Sequence, residues 1–160
     1  MSSALLPSPL GPLYVEADEH GLTRLLTRHD HMAPPDDGAF AALAEQLDAY
    51  FAGELTRFDL PLNAHGTPFE RRVWDALVEI PYGETVSYGE LARELALSPR
   101  GARAVGRANA RNPIAIVVPC HRVIGADGSL TGYAGGLENK RALLDLERGI
   151  GSLHGVPLSR

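Results

Sequence analysis

Residues 87–113 read SYGELARELALSPRGARAVGRANARNP, and this stretch decides the architecture. Ser87 and Glu90 stand three apart, as N-cap and third helical residue of a capping box. The spacing predicts a short helix from there through Leu95 or Ala96. Leu97-Ser98-Pro99 then makes a tight turn, with Ser98 as N-cap and Pro99 at the first position of a second helix. That helix runs from Arg100 to about Ala110 and ends near Asn112-Pro113, because proline disfavours a helical residue before it. Two short helices around a brief turn form a helix-turn-helix, a shape also common in proteins that never meet DNA. The second helix adds a chemical signal. Arg100, Arg103, Arg107 and Arg111 share one face, while Ala102, Ala104 and Gly106 leave the surface between them without bulk. A solvated arginine face would carry interleaved acids, and this one has none, which favours nucleic acid.

Outward from this pair, charge is unevenly spread. The chain has 160 residues and a net charge of −5. Residues 1–65 hold three Lys/Arg against ten Asp/Glu, and residues 66–160 hold twelve against ten. No acid occurs from Leu95 to Ala126, where Arg100, Arg103, Arg107, Arg111 and Arg122 all lie. The local field therefore suits phosphate contact better than the total suggests. No apolar run is long enough to span a membrane, and no basic segment followed by an apolar stretch opens the chain. A single cysteine excludes an internal disulfide and a four-cysteine zinc site, which points to a reducing, cytoplasmic setting.

That cysteine lies in Pro119-Cys120-His121-Arg122-Val123. Residues 114–118 (IAIVV) read as a strand ended by Pro119, with Cys120 on the turn that follows. A lone packing cysteine is the plain alternative, but an adjacent histidine can act as a base toward a thiol.

Before residue 66 the pattern is a small α/β unit: strands over residues 11–17 and 22–27 joined at Glu19-His20-Gly21, a loop over 32–37, a helix over Phe40–Phe51, and a short strand over Phe58–Leu62. His29-Asp30-His31 offers two loop histidines with no further ligands, read as solvated. Leu62 to Gly66 is the boundary between halves. Thr67-Pro68-Phe69-Glu70 opens a helix whose face is Phe69, Val73, Trp74, Leu77 and Ile80, stopped by Pro81-Tyr82-Gly83. A last helix covers Asn139–Arg148, and a tail follows from Gly149.

Together these motifs resemble the methylated-DNA–protein-cysteine methyltransferases, or O6-alkylguanine-DNA alkyltransferases. The resemblance covers roughly Gly66 to Arg148. It rests on Phe69 through Trp74, Pro81-Tyr82-Gly83 with Ser87-Tyr88, Arg103-Ala104-Val105-Gly106, Asn112-Pro113, the Cys120 motif, Gly132-Tyr133-Ala134-Gly135-Gly136-Leu137, and Leu146-Glu147. It implies an α+β fold: a ribonuclease-H-like N-terminal domain at 1–65, a mostly helical, winged-helix-like catalytic domain at 66–150 with its cysteine at a strand end, and a flexible tail at 151–160. It implies irreversible, single-turnover transfer of an alkyl group from O6 of guanine, with O4 of thymine a further candidate, to Cys120 in double-stranded DNA.

In that scheme His121 takes the thiol proton through a water, Glu147 orients the imidazole, and Tyr88 protonates the leaving base. Arg103 fills the gap left by the flipped nucleotide, with Arg100, Arg107, Ala102, Ala104 and Gly106 on the DNA-facing helix. Asn112, Val123, Tyr133, Ala134 and Gly135 build the guanine pocket, the carbonyls of Cys120 and Val123 accepting from the base. Ala134 stands where some members carry serine. The N-terminal zinc site of some members needs cysteines this chain lacks, so no metal is expected, nor any cofactor, and the protein is expected to act as a monomer. The alternatives are a non-catalytic sensor of alkylated DNA, a small-molecule thiol enzyme, and a dimeric helix-turn-helix regulator.

Overall fold

The computed structural model describes residues 1–98, 100–130 and 133–149. Expectations for Pro99, for Gly132 and for the tail at 151–160 lie outside the described residues.

The chain begins with an antiparallel meander of β1 (Ser2–Leu6), β2 (Leu13–Asp18) and β3 (Gly21–Leu26). Leu13 and Val15 of β2 and Leu22 and Leu25 of β3 are buried, giving the sheet one apolar face. Gly21 makes the β2–β3 turn at φ 148°, where a Cβ would sit 2.5 Å from the Pro61 carbonyl oxygen. α1 (Ala41–Phe51) adds Leu43, Leu47, Tyr50 and Phe51 to the core that the buried face of the sheet enters. β1 had no sequence signal beyond Ala4 and Leu6. Phe58–Leu62 is not a strand: it meets β3 in one isolated bridge at Leu62, where the Leu22 amide donates to Pro61 and the Asn63 amide to Leu22. Pro61 has no amide hydrogen to continue a ladder. His29 and His31 are not simply solvated, since His31 stacks on Tyr14 with ring centroids 4.1 Å apart.

α2 (Pro68–Val78) has the expected reciprocal capping box at Thr67 and Glu70. It buries Val73, Trp74 and Leu77, and the Trp74 indole donates to the Ala108 carbonyl at 2.8 Å. After the Pro81-Tyr82-Gly83 stop comes β4 (Val86–Ser87), then α3 (Tyr88–Glu94), capped by Ser87 and Glu90 as expected. α4 (Gly101–Ala110) follows after a short turn and packs against α3. Its start differs from expectation. Arg100 takes the N-cap position with helical dihedrals and no side-chain cap, while the Ser98 carbonyl accepts from the Gly101 amide at 2.7 Å. Glycine is required at 101, because a Cβ would lie 2.5 Å from Leu97 Cβ in the turn between α3 and α4.

The expected strand over residues 114–118 is absent. Ile114 makes one parallel bridge to Leu25 of β3, and then the chain turns, with Ile116 at φ 71°. Ile114, Ile116, Val117 and Val118 are all buried, so this run of apolar residues reflects enclosure on every side rather than extension. Cys120 accordingly opens a 3₁₀ turn (Cys120–Arg122) that leads into β5 (Val123–Ile124), instead of closing a strand. β5 pairs in parallel with β4, Val86 opposite Val123 and Ser87 opposite Ile124. This pairing, which had no sequence signal, sets the start of α3 beside the cysteine turn. α5 (Leu137–Glu147) closes the domain. No helix among the described residues is long and apolar enough to cross a membrane.

Candidate active site

The site is built where α5, the cysteine turn and the end of β3 meet. Asn112 shapes the approach: its amide nitrogen donates to the Val118 carbonyl at 2.8 Å and its oxygen accepts from the Ile114 amide at 3.0 Å. The strained backbone at Ile116 is thereby held, and Cys120 is presented to a cavity of about 60 Å³. Thr27, Asn112, Cys120, Tyr133, Ala134 and Gly135 are among its lining residues. Val123 is not. Its carbonyl accepts from the Lys140 ammonium at 2.7 Å, and the Cys120 carbonyl accepts from Asn109 at 3.3 Å. The Cys120 carbonyl also accepts from the Val123 amide, so of these two carbonyls it is that of Val123 that keeps a second lone pair.

Burial pushes the Cys120 thiol up to about 11, against the smaller favourable effects of Asn112, Lys140 and Tyr133. The adjacent cations therefore do not by themselves make a thiolate at neutral pH. Forming a thiolate therefore needs a proton acceptor, and His121 is the next residue in the chain. Its ring is fully buried, and burial lowers its proton affinity despite the pull of Glu147. His121 Nε2 lies 2.7 Å from Glu147 Oε2. An ionised carboxylate can only accept, so Nε2 carries the proton and Nδ1 keeps its lone pair. Nδ1 has no hydrogen-bond partner among the described residues.

Glu147 is the most heavily bonded side chain in the site. Burial raises its proton affinity, but the hydrogen bonds and charge of His121 and Arg122 prevail and hold it well below the usual carboxylate range. Arg122 donates Nε to Oε1 at 2.8 Å and Nη2 to Oε2 at 3.0 Å, and its Nη1 reaches the Ile80 carbonyl at 2.7 Å. Arg122, counted above with the phosphate-facing cations, is thus buried and internally bound. Tyr50 of α1 donates to Oε2 at 2.6 Å.

Sequence reasoning missed Tyr50, Lys140 and the role of Arg122. Tyr50 read as part of an apolar helix face. Lys140 had one available signal, its register two turns before Glu147 on the face that carries Leu143 and Leu144. It is fully buried, 5.9 Å from the centroid of the Tyr133 ring, and desolvation lowers its proton affinity while the thiol opposes that change. The Tyr133 hydroxyl is buried beside the Cys120 sulfur, close enough for electrostatic coupling but without good hydrogen-bond geometry.

Tyr88 stands at the first position of α3, its ring against Gly106 of α4; a Cβ on Gly106 would come within 3.8 Å of it. On α4, Arg103 and Arg107 are exposed, as is Arg100 before it, and Ala102, Ala104 and Gly106 lie half-buried between them. Arg111 departs from the expected acid-free face, pairing with Glu70 of α2 at 3.5 Å. Gly135 is wedged so tightly that a Cβ would fall 2.5 Å from both Thr27 Oγ1 and Tyr133 Cε2.

A buried cysteine with a histidine–carboxylate pair behind it, next to a helix-turn-helix that exposes arginines, defines a DNA-binding protein that does thiol chemistry. Comparison with known proteins specifies the chemistry. The family model described as "6-O-methylguanine DNA methyltransferase, ribonuclease-like domain" matches residues 1–64, and that for the DNA binding domain of the same enzyme matches residues 68–149. The methylated-DNA–protein-cysteine methyltransferase of Mycobacterium bovis is 55% identical over 149 residues, 89% of this chain and 90% of that one. Its Methanosarcina acetivorans counterpart is 51% identical over 154 residues, 92% and 98% of the two chains. The crystal structure of Mycobacterium tuberculosis OGT in complex with DNA superposes with a TM-score of 0.85 at 53% identity, covering 95% of this chain and 96% of that one. The chain belongs to the methylated-DNA–protein-cysteine methyltransferase family, and its function is DNA repair by transfer of the methyl group of O6-methylguanine to a protein cysteine.

Proposed function

We propose that Cys120 is the methyl acceptor and that the reaction is irreversible, each molecule acting once on alkylated double-stranded DNA. The observation that carries this reading is the 2.7 Å contact of His121 with Glu147, which leaves Nδ1 without a hydrogen-bond partner among the described residues, on the residue that follows the cysteine in the cavity wall. The thiol proton passes to His121 through a water. The Cys120 sulfur forms a bond to the methyl carbon as the carbon–O6 bond breaks, and the electron pair of that bond stays on guanine. Tyr88 supplies a proton to a ring nitrogen so that the base leaves neutral, and the proton lost by the thiol restores the phenol. Overall, the thiol proton replaces methyl on guanine, so no cofactor enters.

A guanine inside a duplex is out of reach, so the nucleotide turns out of the stack. Arg103, exposed on α4, fills its place, with Arg100 and Arg107 on phosphates and the small surface of Ala102, Ala104 and Gly106 against the groove. Asn112, Tyr133, Ala134 and Gly135 receive the base, with the second lone pair of the Val123 carbonyl available to its amine and the Cys120 carbonyl reached by sharing with its present donors. Residues 66–150 hold this machinery, residues 1–65 support it, and the protein works as a monomer in the reducing cytoplasm.

The test is intact mass after incubation with a duplex carrying one O6-methylguanine. The expected result is a stoichiometric gain of one methyl group, mapped to Cys120 and absent in Cys120→Ala, which still binds the duplex. An unchanged mass with tight binding retained would overturn the reading in favour of a lesion sensor.

A further inference from the structure

We propose that Tyr50, in the N-terminal domain, is a positioning residue for methyl transfer: its phenol holds Glu147 in the orientation that aligns His121. This rests on the reading of His121 as the base. Three donors converge on Glu147 Oε2, namely Tyr50 Oη at 2.6 Å, His121 Nε2 at 2.7 Å and Arg122 Nη2 at 3.0 Å. Only Tyr50 comes from outside the catalytic domain, 97 residues away in sequence.

The phenol is fixed in place. Its side chain is fully buried, with ring centroids 5.4 Å from Phe51, 5.4 Å from Phe58 and 6.3 Å from Tyr82, the last edge-on. The Arg122 guanidinium lies 5.8 Å from the same Tyr82 ring, so phenol and guanidinium flank the carboxylate within one packed cluster. Burial and the neighbouring carboxylate keep the phenol protonated, and hence a donor, throughout the physiological range. A packing residue at this position would need no hydroxyl. Placing one in the core at hydrogen-bond distance from an ionised group makes α1 part of the active site's support.

The consequence is electrostatic as well as geometric. The charged and titratable groups facing the His121–Glu147 pair are Tyr50 from α1, Tyr82 from the segment after α2, Arg122 from the cysteine turn, Tyr133 from the segment before α5, and Lys140 from α5. A carboxylate that loses one of its donors becomes a stronger base and holds a proton on the imidazole more tightly. The imidazole then becomes available as a base only at higher pH.

The experiment is single-turnover transfer from a methylated duplex, measured against pH for the full chain and for Tyr50→Phe, with Glu147→Gln, the double variant and His121→Ala alongside. Tyr50→Phe should slow transfer about tenfold at pH 7, of the order expected for a hydrogen bond to a charged group. It should move the acid limb of the profile to higher pH and leave duplex affinity unchanged. In the Glu147→Gln background the same substitution should cost less than about twofold, because the negative charge that the phenol's hydrogen bond supports is already gone. The His121 Nε2 proton resonance should also shift in Tyr50→Phe, a readout that needs only folded protein. Equal loss at every pH and in both backgrounds, or an unchanged rate and resonance, would make Tyr50 a packing residue and overturn the proposal. Wild-type transfer by His121→Ala would instead remove the base reading and Tyr50's role with it. An inactive His121→Ala beside a fully active Tyr50→Phe would remove Tyr50 alone.

Discussion

Replacing Arg122 by methionine tests the energetics of the buried carboxylate directly. The substitution keeps an unbranched apolar stem and deletes only the guanidinium. In the native protein the two side chains are 7% and 1% exposed, so neither charge has water to fall back on. Three hydrogen bonds are lost: two to Glu147, from Nε and Nη2, and one to the Ile80 carbonyl. Removing one partner of a buried ion pair typically costs about 3–5 kcal/mol, because the other charge remains desolvated. Tyr50 and His121 still donate to Glu147, which places the expected loss near the lower end, about 3 kcal/mol at pH 7. For a chain of this length that corresponds to a fall in Tm of roughly 6–12 °C.

The pH dependence identifies the cause. Glu147 in the native protein has a depressed pKa, so its stabilising contribution is complete above the unfolded carboxylate value of about 4.3 and is lost as pH falls through the lower folded value. In the variant, burial is no longer outweighed, the folded pKa rises, and protonating Glu147 relieves the penalty. The difference between the two proteins should therefore shrink as pH falls from 7 toward 4.5. Urea denaturation at pH 7, 6, 5 and 4.5 measures it. A loss below about 1 kcal/mol at pH 7, or one that does not change with pH, would refute the argument that an unpaired buried carboxylate is what the substitution creates.

Three further outcomes are expected. Gly135→Ala forces a Cβ to within 2.5 Å of Thr27 and Tyr133 and should cost about 1–3 kcal/mol by overpacking, with slower transfer, both read from denaturation and single-turnover assays. Trp74→Phe removes the donor to the Ala108 carbonyl near the end of α4 and should cost about 1–2 kcal/mol in urea, with weaker duplex binding as that helix end loosens. His121 has a lowered pKa, so the unfolded chain takes a proton near 6.5 before the folded one does, and stability should fall as pH drops from 7.5 to 5.5. His121→Gln should flatten that slope, and an undiminished slope would show that another group sets it.

The elements with strong local chemistry were legible in the sequence. Both capping boxes, at Thr67–Glu70 and Ser87–Glu90, were readable because their partners lie three residues apart and the interaction is complete within one turn. The β2–β3 turn, the helix-turn-helix, and the exposed arginines at Arg100, Arg103 and Arg107 follow from equally local rules. The cysteine beside a histidine identified the chemistry, and the motifs from Phe69 to Glu147 identified the family.

Local rules failed where burial or long-range pairing decides. Residues 114–118 are apolar because they are enclosed from all sides, and an apolar run has no period that separates a buried turn from a strand. The β4–β5 ladder joins two-residue segments 37 positions apart, too short to carry a pattern of their own. Arg122 and Arg103 are the same residue type in the same basic stretch. One is buried against Glu147, the other is exposed on α4, and only the packing of α5 against the cysteine turn separates them. Tyr50 is the clearest case: its place on an apolar helix face was readable, but its hydroxyl gains meaning only when Glu147 is brought to it from 97 residues away. The sequence by itself determined which helices form and which thiol is the candidate acceptor. The tertiary structure decided which charges are buried together, because desolvation and pairing depend on what surrounds a group rather than on what precedes it in the chain.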